Sequence, residues 1–95
     1  MPNRNRNISY DFIIHPGETL TEVLADRDMS KEELSGRTGV PLEYVTDVIE
    51  GRAGISELFA ERLEEVLGIQ MSFWLNLQAN YERELKEENA IEQKL

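Results

Sequence analysis

Between two glycines, the stretch GVPLEYVTDVIEG (residues 39–51) sets polar and acidic side chains beside an apolar stripe at helical spacing. Val45, Val48 and Ile49 form the stripe, while Pro41, Leu42, Glu43, Tyr44, Thr46 and Asp47 fall at its start and outer side. The chemistry open to such a face is hydrogen bonding, not bond making. A threonine hydroxyl can donate to a base edge or a phosphate, and a carboxylate can accept from the amino group of cytosine. The Tyr44 hydroxyl is a candidate phosphate contact. Cations able to hold phosphates lie nearby: Lys31, Arg37 and Arg52, with Arg4 and Arg6 farther upstream. Against them stand Glu43, Asp47 and Glu50, whose charge repels phosphates. The bland alternative is a solvated helix surface.

Other chemistries lack their residues. The chain has no cysteine and a single histidine, so no thiolate site and no histidine cluster can assemble around a metal. It has no phosphate-cradling glycine loop and no HExxH pair, and its many carboxylates are not organised as a dyad. Neither an enzyme, a cofactor nor a small-molecule substrate is expected. His15, ahead of Pro16 and Gly17, is expected to shape the lead-in to the first helix by donating a hydrogen bond.

The 95 residues suit one small domain, and a domain of this size buries only about 60% of its unfolded surface, so a second copy or a partner is expected. Nineteen acids against ten bases give a net charge of −9, the reverse of the usual nucleic-acid footprint and a match for a basic protein partner. No segment is apolar enough for a signal peptide or a membrane span. With no cysteine, a cytoplasmic location is expected.

These side chains need helices to position them. Residues 1–11, rich in Asn and Arg, show no periodicity and read as a mobile arm, and 86–95 read as a charged helical tail. Between them, residues 12–85 show five helical segments and no strand. Leu20, Val23 and Leu24 mark a helix over about 17–27. Ser30 with Glu33 makes a capping box for a short helix that buries Leu34 and ends before Gly39. Pro41 suits the first position of the next. Ser56 caps a helix that buries Leu58 or Phe59, then Leu63, Val66 and Leu67. Ser72 is expected to cap the last, whose stripe runs Phe73, Trp74, Leu77, Tyr81 and Leu85. Trp74, Leu77, Tyr81 and Leu85 share one face. Its inner end is core-like, and the face is the candidate dimer interface, since Tyr81 and Leu85 lie beyond the bundle. Asn76 and Gln78, off the stripe, could hydrogen-bond across that interface.

Two short helices joined by a glycine turn and flanked by others have the layout of a helix-turn-helix, whose second helix presents its N-terminus and outer face to DNA. The segment SKEELSGRTGVPLEYVTDVIEG resembles the helix-turn-helix of XRE-type (lambda-repressor-like) regulators. The wider chain resembles HigA-type antitoxins through HPGETL (15–20), GVP (39–41), GRAGI (51–55) and FWLNLQANYE (73–82). The likeness spans about residues 14–85 and implies an all-α, five-helix fold around the motif. It further implies a dimer that binds its own operator and neutralises a small, basic, HigB-like mRNA-cleaving toxin. Related antitoxins often carry Asn and Arg where this chain has Glu43 and Tyr44, and a basic residue at Ala53, so the departures remove the side chains best able to read purines.

Two other readings stay open. One is a helix-turn-helix regulator without a toxin, such as the N-terminal part of a longer metallopeptidase-containing regulator. The other is a protein-interaction module whose DNA face has been lost. The acidic runs at Glu61, Glu64, Glu65 and at Glu82, Glu84, Glu87, Glu88 are ordinary solvated faces or the draw for a basic partner.

Overall fold

Caps and glycines cut the chain into helices nearly where their chemistry dictates. The structure, a computed structural model, describes residues 13–94, with side chains to residue 88. Arg4 and Arg6, with the rest of the arm over 1–11, lie outside the described residues. Among the described residues there are five α-helices and no strand: α1 (Pro16–Asp26), α2 (Lys31–Thr38), α3 (Leu42–Ile49), α4 (Glu57–Leu67) and α5 (Met71–Lys94). The fold is all-α, and α5 runs without a break across residue 86.

Ser30 caps α2 by accepting from the Glu33 N–H at 3.0 Å. The reciprocal half of the expected capping box is replaced, because the Glu33 carboxylate pairs with Arg37 at 2.7 Å. Ser56 caps α4 in the same way, accepting from Phe59 N–H at 3.1 Å. The choice between Leu58 and Phe59 falls to Phe59, which is fully buried while Leu58 is exposed. Pro41 stands one position earlier than expected. It is the residue before α3, with the φ of −60° its ring imposes, and it offers no capping side chain. Ser72 does not cap α5, which begins at Met71; a carboxylate from α4 takes the role, Glu64 Oε1 accepting from Met71 N–H at 3.0 Å.

α3 sits against α1 and α2, while α4 packs on α2 and α5. Leu20, Leu34, Val45, Val48, Phe59, Leu63 and Trp74 are all fully buried at their common centre. At about 1.5–3 kcal/mol for each large apolar side chain removed from water, this cluster is the main favourable term.

The α2–α3 turn is held by polar groups that composition did not point to. Gly39 takes φ +78°, a left-handed conformation that glycine reaches without a Cβ penalty. Beside it Thr38 is only 1% exposed, yet its hydroxyl donates to Leu34 C=O at 2.7 Å and accepts from Val40 N–H at 3.3 Å. Arg62 of α4 donates to Thr38 C=O at 2.9 Å, and Ser35 Oγ donates to Val40 C=O at 2.6 Å. Every strand of this turn is therefore tied, and α3 cannot swing relative to α2 without leaving buried polar groups unpaired.

At the other end of α3 the contact is backbone on backbone. A Cβ placed on Gly17 would lie 1.9 Å from the Val48 carbonyl oxygen, so only glycine lets α1 start this close to α3. His15 caps α1 as an acceptor, its Nδ1 accepting from Gly17 N–H at 2.9 Å, while the expected donation is directed at the Ala53 carbonyl. Its ring meets Tyr81 of α5 edge-on, with centroids 4.7 Å apart. Burial lowers the His15 pKa below its usual value, against weaker upward pulls from the Ala53 carbonyl and Glu18.

Two outcomes follow. Gly17→Ala should lose about 1–3 kcal/mol of stability by forcing α1 off α3, read as a lower urea midpoint with an unchanged slope. Since the folded chain resists protonating His15, the unfolded chain binds the proton first. Stability should therefore fall as pH drops below about 6.5, the ordinary histidine value. Urea midpoints at pH 7.5 and 5.5 should separate in the native chain and converge in His15→Asn, whose amide oxygen keeps a cap but does not titrate in this range.

Candidate nucleic-acid interface

α3 offers its N-terminus and one side to solvent. Pro41, Leu42 and Glu43 are exposed, Thr46 and Asp47 are half-buried, and Val45 and Val48 face inward. Because Pro41 has no capping group, no side chain among the described residues accepts from the first-turn N–H groups of α3. Lys31, at the start of α2, is half-buried; Arg37, in the last turn of α2, is exposed. The turn network and the Gly17 contact thus place Lys31, Arg37, Pro41, Leu42, Glu43, Thr46, Asp47 and Arg52 around the α2–α3 unit.

Tyr44 does not belong with them. Its ring turns inward to meet Phe59 edge-on, centroids 5.1 Å apart. Its hydroxyl donates to Gly54 C=O at 2.6 Å and accepts from Ser56 N–H at 3.0 Å. The expected phosphate contact is therefore corrected to a strut that shapes the loop from Gly51 to Ser56. That loop is also held from α5, where Gln78 Oε1 accepts from Ile55 N–H at 2.9 Å while its amide donates to Glu82. Gln78, expected to bond across an interface, is committed inside its own chain.

Of the three expected phosphate cations among the described residues, two already hold carboxylates. Arg37 pairs with Glu33, one turn before it. Arg52 donates through Nε and Nη2 to Asp47 Oδ1, at 3.2 and 2.9 Å, and through Nη1 to Glu50. Glu50 first, and then Asp47, raise the Arg52 pKa above its ordinary value. The Glu33–Arg37 pair is legible in the sequence as an i, i+4 spacing on a helix. The Arg52 cluster is not, since it closes around the turn that follows α3.

The candidate dimer face also changes. Trp74 is fully buried in the core of its own chain and meets Phe73 edge-on at 5.1 Å, so it has no surface to give a second copy. Leu77, Tyr81 and Leu85 keep partial exposure, and Tyr81 lies on His15 instead of projecting past the bundle. Phe73, 41% exposed, precedes Leu77 by one helical turn and continues the same row. Among the described residues no helix is long and apolar enough to cross a membrane.

Residues 20–74 match the family model described as helix-turn-helix. No curated protein matches the chain. Among solved structures, the chain is 36% identical to a HigA-family addiction module antidote protein from Coxiella burnetii, with a TM-score of 0.76, covering 86% of this chain and 94% of that one. It is 35% identical to the Pseudomonas aeruginosa antitoxin HigA solved with the higBA promoter, with a TM-score of 0.74 and coverage of 85% and 87%. To Pseudomonas aeruginosa PA4674, solved in complex with its 18 bp operator DNA, it is 32% identical, with a TM-score of 0.77 and coverage of 86% and 92%. With the helix-turn-helix built as described and such similarity along nearly the whole chain, this protein belongs to the HigA family of helix-turn-helix antidote proteins.

Proposed function

We propose that this protein is the antitoxin of a toxin–antitoxin pair: it binds its own operator through α3 as a dimer and neutralises a small, basic, mRNA-cleaving toxin. The observation that carries the DNA half is the α2–α3 unit, with its turn tied by Thr38 and Arg62 and the uncapped start of α3 turned outward. Relatives at 32% and 35% identity were solved with operator or promoter DNA. Lys31 and Arg37 would position the phosphates, with Pro41, Leu42, Glu43, Thr46 and Asp47 along the groove and Arg52 at its edge. Catalysis has no part in this reading, and the protein works in the cytoplasm.

Dimerisation doubles α3 so that two copies meet the two halves of one operator. The row Phe73, Leu77, Tyr81 and Leu85 along α5 is the face we assign to it. The toxin half rests on charge. A chain of net −9 exposes Glu57, Glu61, Glu64 and Glu65 on α4, a field that attracts a basic protein and that DNA alone would not call for.

Fluorescence anisotropy with the DNA upstream of the gene and a scrambled duplex, each at two salt concentrations, tests the DNA half. The upstream duplex should bind more tightly, and both should weaken as salt rises. Lys31→Ala should weaken the two alike and flatten the salt dependence by about one phosphate contact. If a folded dimer binds neither duplex, operator recognition is wrong. Co-expression with the neighbouring reading frame tests the toxin half: the protein should rescue growth and copurify with its product.

A further inference from the structure

We infer that Glu50, together with Asp47, latches Arg52 away from DNA and so sets how tightly this protein holds its operator. The inference rests on the DNA-binding reading above and concerns the regulation of that same face.

Gly51, with φ +83°, turns the chain back at the end of α3, and the Arg52 N–H returns to Asp47 C=O at 2.7 Å. The side chain then lies against the last turn of α3, where a cation also favours the negative end of the helix dipole. Each guanidinium nitrogen already donates to a carboxylate, Nε and Nη2 to Asp47 and Nη1 to Glu50, which commits three of the five N–H donors. The strong, bidentate phosphate contact needs two adjacent donors, and here Asp47 fills the Nε–Nη2 side of the fork while Glu50 holds the Nη1 end. Arg37 differs: among the described residues only its Nη2 pairs, with Glu33, which leaves part of its fork open there.

Charge points the same way. Two carboxylates against one guanidinium leave the Asp47–Glu50–Arg52 trio with a net charge of −1, so this corner repels a phosphate until a carboxylate lets go. The pairs are exposed, with the Arg52 side chain 59% accessible, so each is weak enough for DNA to exchange. Glu50 is the cleaner of the two to alter, since Asp47 also lies where a base amino group could reach it.

A double-mutant cycle in the full chain tests this, with native, Glu50→Gln, Arg52→Met and the double variant titrated against the upstream duplex by anisotropy at two salt concentrations. Glu50→Gln should tighten binding about three- to fivefold, the scale of one exposed pair, and steepen the salt dependence by about one phosphate. In the Arg52→Met background the same change should give no steepening and a smaller gain. Thermal melts should superpose, because the pair is exposed. An equal gain in both backgrounds would mean that only the charge of Glu50 matters, and the latch would be wrong. Weaker binding by Glu50→Gln would make Glu50 a support for Arg52 and overturn it as well. If the native chain binds the duplex and Glu50→Gln matches it, the latch fails while the DNA reading stands; if no form binds, both fail.

Discussion

The start of α1 rests on the carbonyl of Val48 with no room for a side chain between them. That contact sets how far α3 stands from the rest of the bundle. From it follows the placing of Val45 and Val48 in the core and of Thr46 and Asp47 toward solvent. The same corner carries the His15 cap, and the His15 ring leans on Tyr81. One close approach thereby links α1, α3 and α5, and this is why an ordinary-looking His-Pro-Gly turn matters to a face on the far side of α3.

Around that contact, side chains do the work of aligning loops. Thr38 and Arg62 tie the turn before α3, and Tyr44 and Gln78 tie the loop after it. Thr38, Arg62 and Gln78 satisfy backbone groups that are buried or partly so, and leaving a buried group unpaired costs about 1–3 kcal/mol, whereas the Tyr44 bonds are exposed and serve to align the loop. An eight-residue helix is too short to be stable by itself. Bracketed at both ends, α3 becomes a rigid element with a defined outer side.

The electrostatics of that side are unusual for a DNA-facing surface because its arginines arrive already paired. Surface pairs of this kind add little to stability. In the proposed DNA-binding role their weight falls on binding, most of all at Arg52, where a carboxylate must be exchanged before a phosphate is held bidentately. An acidic protein in which cations are shared between its own carboxylates and a polyanion binds that polyanion weakly and with a shallow salt dependence, since few of its cations reach phosphates. Such a surface is easily retuned by single charge changes, without any alteration of the fold.

Much of this was legible in residue order. The apolar spacing of Leu20, Leu34, Val45, Val48, Leu63 and Trp74, the caps at Ser30 and Ser56, and Gly39 at a left-handed turn determine five helices and most of their boundaries by local chemistry, whereas the start of α5 is capped by Glu64 from α4 and not by Ser72. The family was legible as well, in HPGETL, GRAGI and FWLNLQANYE. What residue order left open was the direction and partner of each polar side chain. Tyr44 reads as surface by its spacing, yet it turns inward because Phe59 and the Gly54 carbonyl, ten to fifteen residues away, receive it. Gln78 is drawn to the Ile55 N–H, and Trp74 is buried within its own chain instead of against a copy. Arg52 finds Asp47 and Glu50 only because Gly51 folds the chain back on itself. Helix formation depends on neighbours within a turn or two, so the sequence by itself determined it; a hydrogen bond or ion pair across a turn depends on how elements meet, and only the tertiary structure decided those.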